Sequence, residues 1–175
     1  MLTIDQILKY DYATPYYSGT GFIKLKTNNG VYRFYCEEVA ERTVDKIHSH
    51  TQSFNSQILK GTLKHVIYDI TPVEYETDYK LIQGACTRNC MPTTMHENVI
   101  TSERSVCDTT EGNSYQYNFN DPHNVELVTS KVITLKTILL KCNDEPIFVI
   151  DKRIPFIDPW DTSFTSFSFC AQHNS

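Results

Sequence analysis

The sequence predicts an all-β fold in a single domain, on three observations. Short stretches of alternating apolar and polar residues, about ten in all, recur along the chain with turn-forming residues between them, the pattern of a barrel or sandwich. Thr27-Asn28-Asn29-Gly30 separates two such stretches, and Asn-Gly in that position is a strong hairpin signal. Helical periodicity is confined to the first residues. At 175 residues the chain is within the length that all-β domains reach undivided, and 40% hydrophobic residues suffice for a core.

Thr3 is an N-cap candidate with Gln6 at capping-box spacing, and Ile4, Ile7 and Leu8 form an apolar stripe, so a short N-terminal helix is expected. Gly21–Lys26 and Val31–Cys36 form the first hairpin. Val44–His50, Phe54–Lys60, Leu63–Ile70 and Val73–Gln83 read as the next strands, with Gly61 as a turn. Residues Gly84–Gly112 are rich in Thr, Ser, Asn and Cys, lack periodicity, and read as loops with one or two short strands. Tyr115–Phe119, His123–Val128, Val132–Lys141 and Ile147–Arg153 resume the alternation. The segment 154–175 carries Pro155, Pro159, the only tryptophan (Trp160) and Phe164, Phe167 and Phe169, so at least part of it is expected to pack on a core spanning residues 15–153. Trp160 caps a pocket or, more simply, anchors this tail.

The net charge is −5, from 16 basic and 21 acidic residues scattered along the chain. With no basic block, neither nucleic acid nor an anionic membrane is an expected partner. A small-molecule substrate is expected instead, and the oligomeric state is open, a homodimer included. No apolar run of about 20 residues occurs. The first residues lack a basic region followed by an apolar one, so a cytoplasmic location is expected. The six cysteines then read as thiols, although an even count in a secreted protein would suggest disulfides.

The chemistry concentrates at Ile47-His48-Ser49-His50. Two histidines one residue apart on a strand face the same way, and neutral imidazole is the commonest ligand of Fe, Zn, Cu and Ni. A bare H-x-H is common by chance, and a site needs a third ligand. His123 is the best candidate: it follows the turn Asp121-Pro122 and opens an apolar strand. His65, on a strand of apolar alternators, reads as a surface or ordinary hydrogen-bonded histidine. Cys86, Cys90, His96 and Cys107 form a looser candidate for a second, structural metal site, weighed against free thiols in a loop. Gln57 is a candidate ligand contact or a wall residue. Tyr115 and Tyr117 each offer a pocket hydroxyl or simply pack.

The stretch from Ile47 to Asp69, with H-x-H, a short loop, a strand and a glycine turn, resembles the first motif of the cupin superfamily at His48, His50 and Gly61. The acidic ligand usual in that family would fall near Phe54 or Asn55, and neither is acidic. This feature is similar to cysteine dioxygenase and related thiol dioxygenases, which use three histidines. Ile47–Ser53 and Leu59–Lys64 look like their local sequence, one residue shorter between the histidines and the glycine; that spacing matches a wider cupin group with an H-D-H-P-W-type motif. Tyr117–Glu126 resembles the second cupin motif, with His123 as the third ligand.

The resemblance implies a double-stranded β-helix, or jelly-roll, barrel with a facial His48/His50/His123 site for Fe(II). The implied activity is a non-haem dioxygenase acting on a small anionic or thiol substrate. Zn(II) or Ni(II) are alternatives, with Zn(II) favouring hydrolysis or isomerisation, and a non-catalytic small-molecule-binding module is the reading from another class. Thiol dioxygenases hold the substrate carboxylate with an arginine before the first motif. Here that strand offers Lys24 and Lys26, with Arg33 on the next, so Lys24 and Arg33 are the candidate anchors. The strand after the third histidine, residues 132–140, has none of the tyrosine those enzymes carry there. No catalytic acid or base is assigned.

Overall fold

Two glycine turns set the registers on which the rest depends. In this computed structural model Gly30 adopts φ +136°, and a Cβ there would stand 2.7 Å from the Lys136 carbonyl oxygen, so only glycine fits. Gly61, at φ +83°, turns the chain from one sheet into the next. The structure describes residues 14–18, 22–36, 47–84, 92–141 and 145–154. The expected N-terminal helix and the 155–175 part of the tail, Trp160 included, lie outside them.

Among the described residues there are twelve strands and no helix. They are β1 (Thr14–Ser18), β2 (Phe22–Thr27), β3 (Gly30–Cys36), β4 (Gln52–Lys60), β5 (Thr62–Pro72), β6 (Tyr79–Gln83), β7 (Thr93–His96), β8 (Val99–Thr110), β9 (Ser114–Tyr117), β10 (His123–Leu127), β11 (Lys131–Lys141) and β12 (Ile147–Asp151). All pairings are antiparallel, in a six-stranded sheet of order β1-β2-β3-β11-β4-β9 and two three-stranded sheets, β10-β5-β8 and β12-β6-β7. The all-β expectation holds at this level. Among the described residues no helix is long and apolar enough to cross a membrane.

The segment 47–50 departs from its expected strand. It is extended but bridges two other strands: His48 exchanges backbone bonds with His123 (3.0 and 2.9 Å), and Ile47 and Ser49 bond to Val149 and Ile147 of β12. It thereby joins the two three-stranded sheets edge to edge. The Ser49 hydroxyl accepts from the Ile147 amide at 3.0 Å, which fastens the segment a second time.

Residues 84–112 are the main correction to the sequence reading. Far from being mostly loop, this region holds β7 and the 12-residue β8, paired along the whole of β5. β8 is an edge strand with only Val99 and Thr109 buried, so it needs no apolar alternation and shows none. The expected Val73–Gln83 strand is also shorter, because the Thr77 hydroxyl bonds the carbonyls of Tyr79 and Val99 and caps a turn before β6.

Alternation on the six-stranded sheet places Phe22, Tyr35, Phe54, Ile58, Tyr115, Tyr117 and Val132 against Leu63 of β5, in one buried cluster between the sheets. The same inner face carries the polar residues that matter below.

Candidate metal centre

The 47–50 segment and the start of β10 are hydrogen-bonded neighbours, and this brings the two sequence motifs together. The rings of His48, His50 and His123 form a near-equilateral triangle with centroids 4.9, 4.9 and 5.0 Å apart. One ring nitrogen from each lies within 4.8 Å of the others, and no other such group of three occurs among the described residues. A metal–imidazole bond is about 2.0–2.1 Å, so small side-chain rotations close this triangle onto one ion.

The ligands are prepared for that role. His123 Nδ1 donates to the Asp121 carbonyl oxygen at 2.8 Å, which fixes the tautomer and leaves Nε2 as the lone-pair nitrogen. The turn supplying that carbonyl is itself held. The Asp121 carboxylate accepts from Arg104 at 2.7 Å and from the Asn118 amide at 3.1 Å, and His50 N–H bonds the Phe119 carbonyl at 3.1 Å. Burial, the neighbouring histidines, and Lys136 and Arg33 hold His50 well below the ordinary imidazole value. His123 is lowered by burial and by His48. Both are therefore neutral near pH 7, the form that binds metal.

Tyr117 stacks on His123 with centroids 3.6 Å apart and planes within 12°. Its hydroxyl is 2.7 Å from His65 Nδ1. His65 is thus buried and hydrogen-bonded, not on the surface. Desolvation takes it down to about 4.

The candidate anchors divide. Arg33 is 5% exposed, with its guanidinium carbon 5.0 Å from the Phe22 ring centre, 4.8 Å from that of Phe54, and Nη1 3.5 Å from the Tyr35 hydroxyl. Lys24 is its cross-strand partner, half-buried, with Nζ 5.1 Å from the Phe22 ring centre. Tyr115 is buried on the same inner face. Gln57 is not: Phe54, Ser56 and Ile58 point inwards on β4, so Gln57 is exposed on the opposite face, and its placement as a ligand contact is corrected. His96 and Cys107 are exposed on different sheets and form no ligand group, while Cys86 and Cys90 lie outside the described residues.

Sequence reasoning missed Lys136. Its Nζ stands 3.8 Å from the Phe54 ring centre, and the side chain is buried. The available signal was parity: Lys136 falls in step with Val132 and Thr134 on a strand whose even positions point inwards. Phe54 links it to the triad, since the Phe54 and His50 rings are 4.9 Å apart.

No protein-family model matches the chain, and no curated protein does either.

Proposed function

We propose that this chain is a cupin-type, metal-dependent enzyme, most closely resembling the three-histidine thiol dioxygenases, with Fe(II) held by His48, His50 and His123. The observation that carries the reading is the convergence of three ring nitrogens from two distant motifs, with His123 locked in the ligating tautomer. The donor set fits: three neutral imidazoles suit Fe(II), and equally Zn(II) or Ni(II). When bound, iron supplies a place where a small anionic or thiol substrate meets dioxygen.

The chain's own residues do the rest. Neutral histidines leave the ion's charge uncompensated, which favours an anionic partner. Arg33 extends that positive field across Phe54. Tyr117 holds the His123 ring in plane, and the aromatic cluster keeps water from one side. A cytoplasmic setting suits a thiol substrate, and Cys107 is a free thiol.

The test is elemental analysis of the purified chain beside His123→Ala, followed by oxygen consumption with a panel of small thiols and organic acids. The expected result is one iron per chain, lost in the variant, with substrate-dependent oxygen uptake. Stoichiometric zinc without oxygen uptake would move the reading to a hydrolase or isomerase. No metal at all would end the enzyme reading and leave a small-molecule-binding module.

A further inference from the structure

The inner face of the six-stranded sheet is charged where a core should not be. Arg33 and Lys136, 5% and 6% exposed, are both within 5 Å of the Phe54 ring centre. Neither has an ion-pair partner among the described residues. No aspartate or glutamate is among the buried described residues. A buried cation with no counter-charge is strongly unfavourable, and in Lys136 that cost, with Arg33 beside it, favours the neutral amine until an anion binds. The Tyr35 hydroxyl supplies no negative charge, because burial raises its pKa far above neutrality.

Polar atoms around the pair are also unpartnered. Arg33 Nε and the hydroxyls of Ser56 and Thr134 are buried without a hydrogen-bond partner among the described residues, and the Tyr115 hydroxyl lies beside Arg33 and Tyr35. Strand register puts them in one patch: Thr134 is opposite Arg33, Lys136 opposite Ser56, and Ser56 opposite Tyr115, across the adjoining strands β3, β11, β4 and β9. Together they offer a guanidinium edge, a lysine amine that an anion would protonate, and two vacant hydroxyl donors, with no acceptor-only group among them.

We infer that this patch binds a small organic dianion without a cationic group, of the short dicarboxylate class, between Arg33 and Lys136. The Arg33 guanidinium takes one carboxylate in a paired fashion, and the second carboxylate draws a proton onto Lys136 and is held by the ammonium so formed. A zwitterionic amino acid fits poorly, since its ammonium would face the buried guanidinium with no buried carboxylate among the described residues to receive it. Phe54 touches both cations and His50, so the anion lies beside the triad. Its role as the substrate rests on the proposed metal enzyme; its binding does not.

The experiment is calorimetric titration of the metal-free chain with succinate, propionate and cysteine, repeated on Lys136→Met and Lys136→Arg. Succinate is expected to bind at least tenfold more tightly than propionate or cysteine. Lys136→Met should lose at least tenfold and Lys136→Arg only a few-fold. Equal affinity for succinate and cysteine, or an unchanged Lys136→Met, overturns the inference, as does absence of succinate binding. Should Lys136→Met fail to fold, thermal shifts of the wild-type chain decide: a larger rise with succinate than with propionate or cysteine supports the site, and equal or absent rises overturn it. Succinate binding by a chain that takes up no metal would sink the enzyme reading and leave this one standing; metal uptake without succinate binding does the reverse.

Discussion

The two walls of the candidate site are built to opposite specifications. One wall, the 47–50 segment with β10, carries three histidines held by backbone bonds, with His50 and His123 kept neutral. The other, β3 with β11 and β4, carries Arg33 and Lys136 buried on an aromatic floor without carboxylates. The first wall offers lone pairs to a cation, while the second offers charge to an anion. Phe54 stands between them, in contact with both. The separation matters because the Arg33 guanidinium that attracts an anion also opposes a metal about one ring away. A bound anion removes that opposition, so each ligand is expected to tighten the other by the same factor.

The sharpest way to break this contrast is to empty one wall. His123→Ala should abolish stoichiometric metal uptake while leaving succinate binding to the metal-free chain within a few-fold, read by elemental analysis and calorimetry on one preparation. Removing the divider comes next. Phe54→Ala deletes a fully buried ring in contact with both walls, and is expected to cost about 3–5 kcal/mol by chemical denaturation.

The third test uses pH. Burial, with Arg33 and Lys24 nearby, pulls Lys136 down to about 6 from its ordinary 10.5. Between those values the unfolded chain holds the proton and the ligand-free folded chain does not. Stability from this group is therefore greatest at high pH and is lost as the pH falls from 10.5 towards 6. Lys136→Met should flatten that slope in denaturation measured across the window. His65 acts in a lower range with the same sign: the unfolded chain takes its proton near 6.5 and the folded chain only near 4, so stability falls between them on acidification. A smaller effect is expected from Tyr117→Phe. It keeps the ring on His123 but strands buried His65, at about 1–3 kcal/mol. Smallest of all, Gln57→Ala on the exposed face should stay within about 0.5 kcal/mol of wild type and leave both ligands' affinities unchanged.

Strand alternation made most of the fold legible, and it failed where its physical cause is missing. β4, β5 and β11 each bury one face and read correctly, whereas β8 lies at an edge with both faces largely exposed and could not announce itself. The three histidines were legible because H-x-H and a histidine after Asp-Pro are local patterns. That His48 would bridge β10 and β12 was not, because nothing local encodes a partner so far along the chain. Lys136 was overlooked for another reason. A lysine on a strand is expected to face water, and only its parity with Val132 and Thr134 says that this one does not.

The bridging segment 47–50 also bears on how fast this molecule can assemble. Its fastenings join residues as distant as Ile47 and Val149, 102 positions apart, and contacts of such separation demand the closure of long loops before they return any stability. The ligand triangle should therefore complete late, after the hairpins β1–β2 and β2–β3 have formed. A metal ion held there would act mostly after the folding barrier, slowing unfolding while scarcely changing the rate of folding.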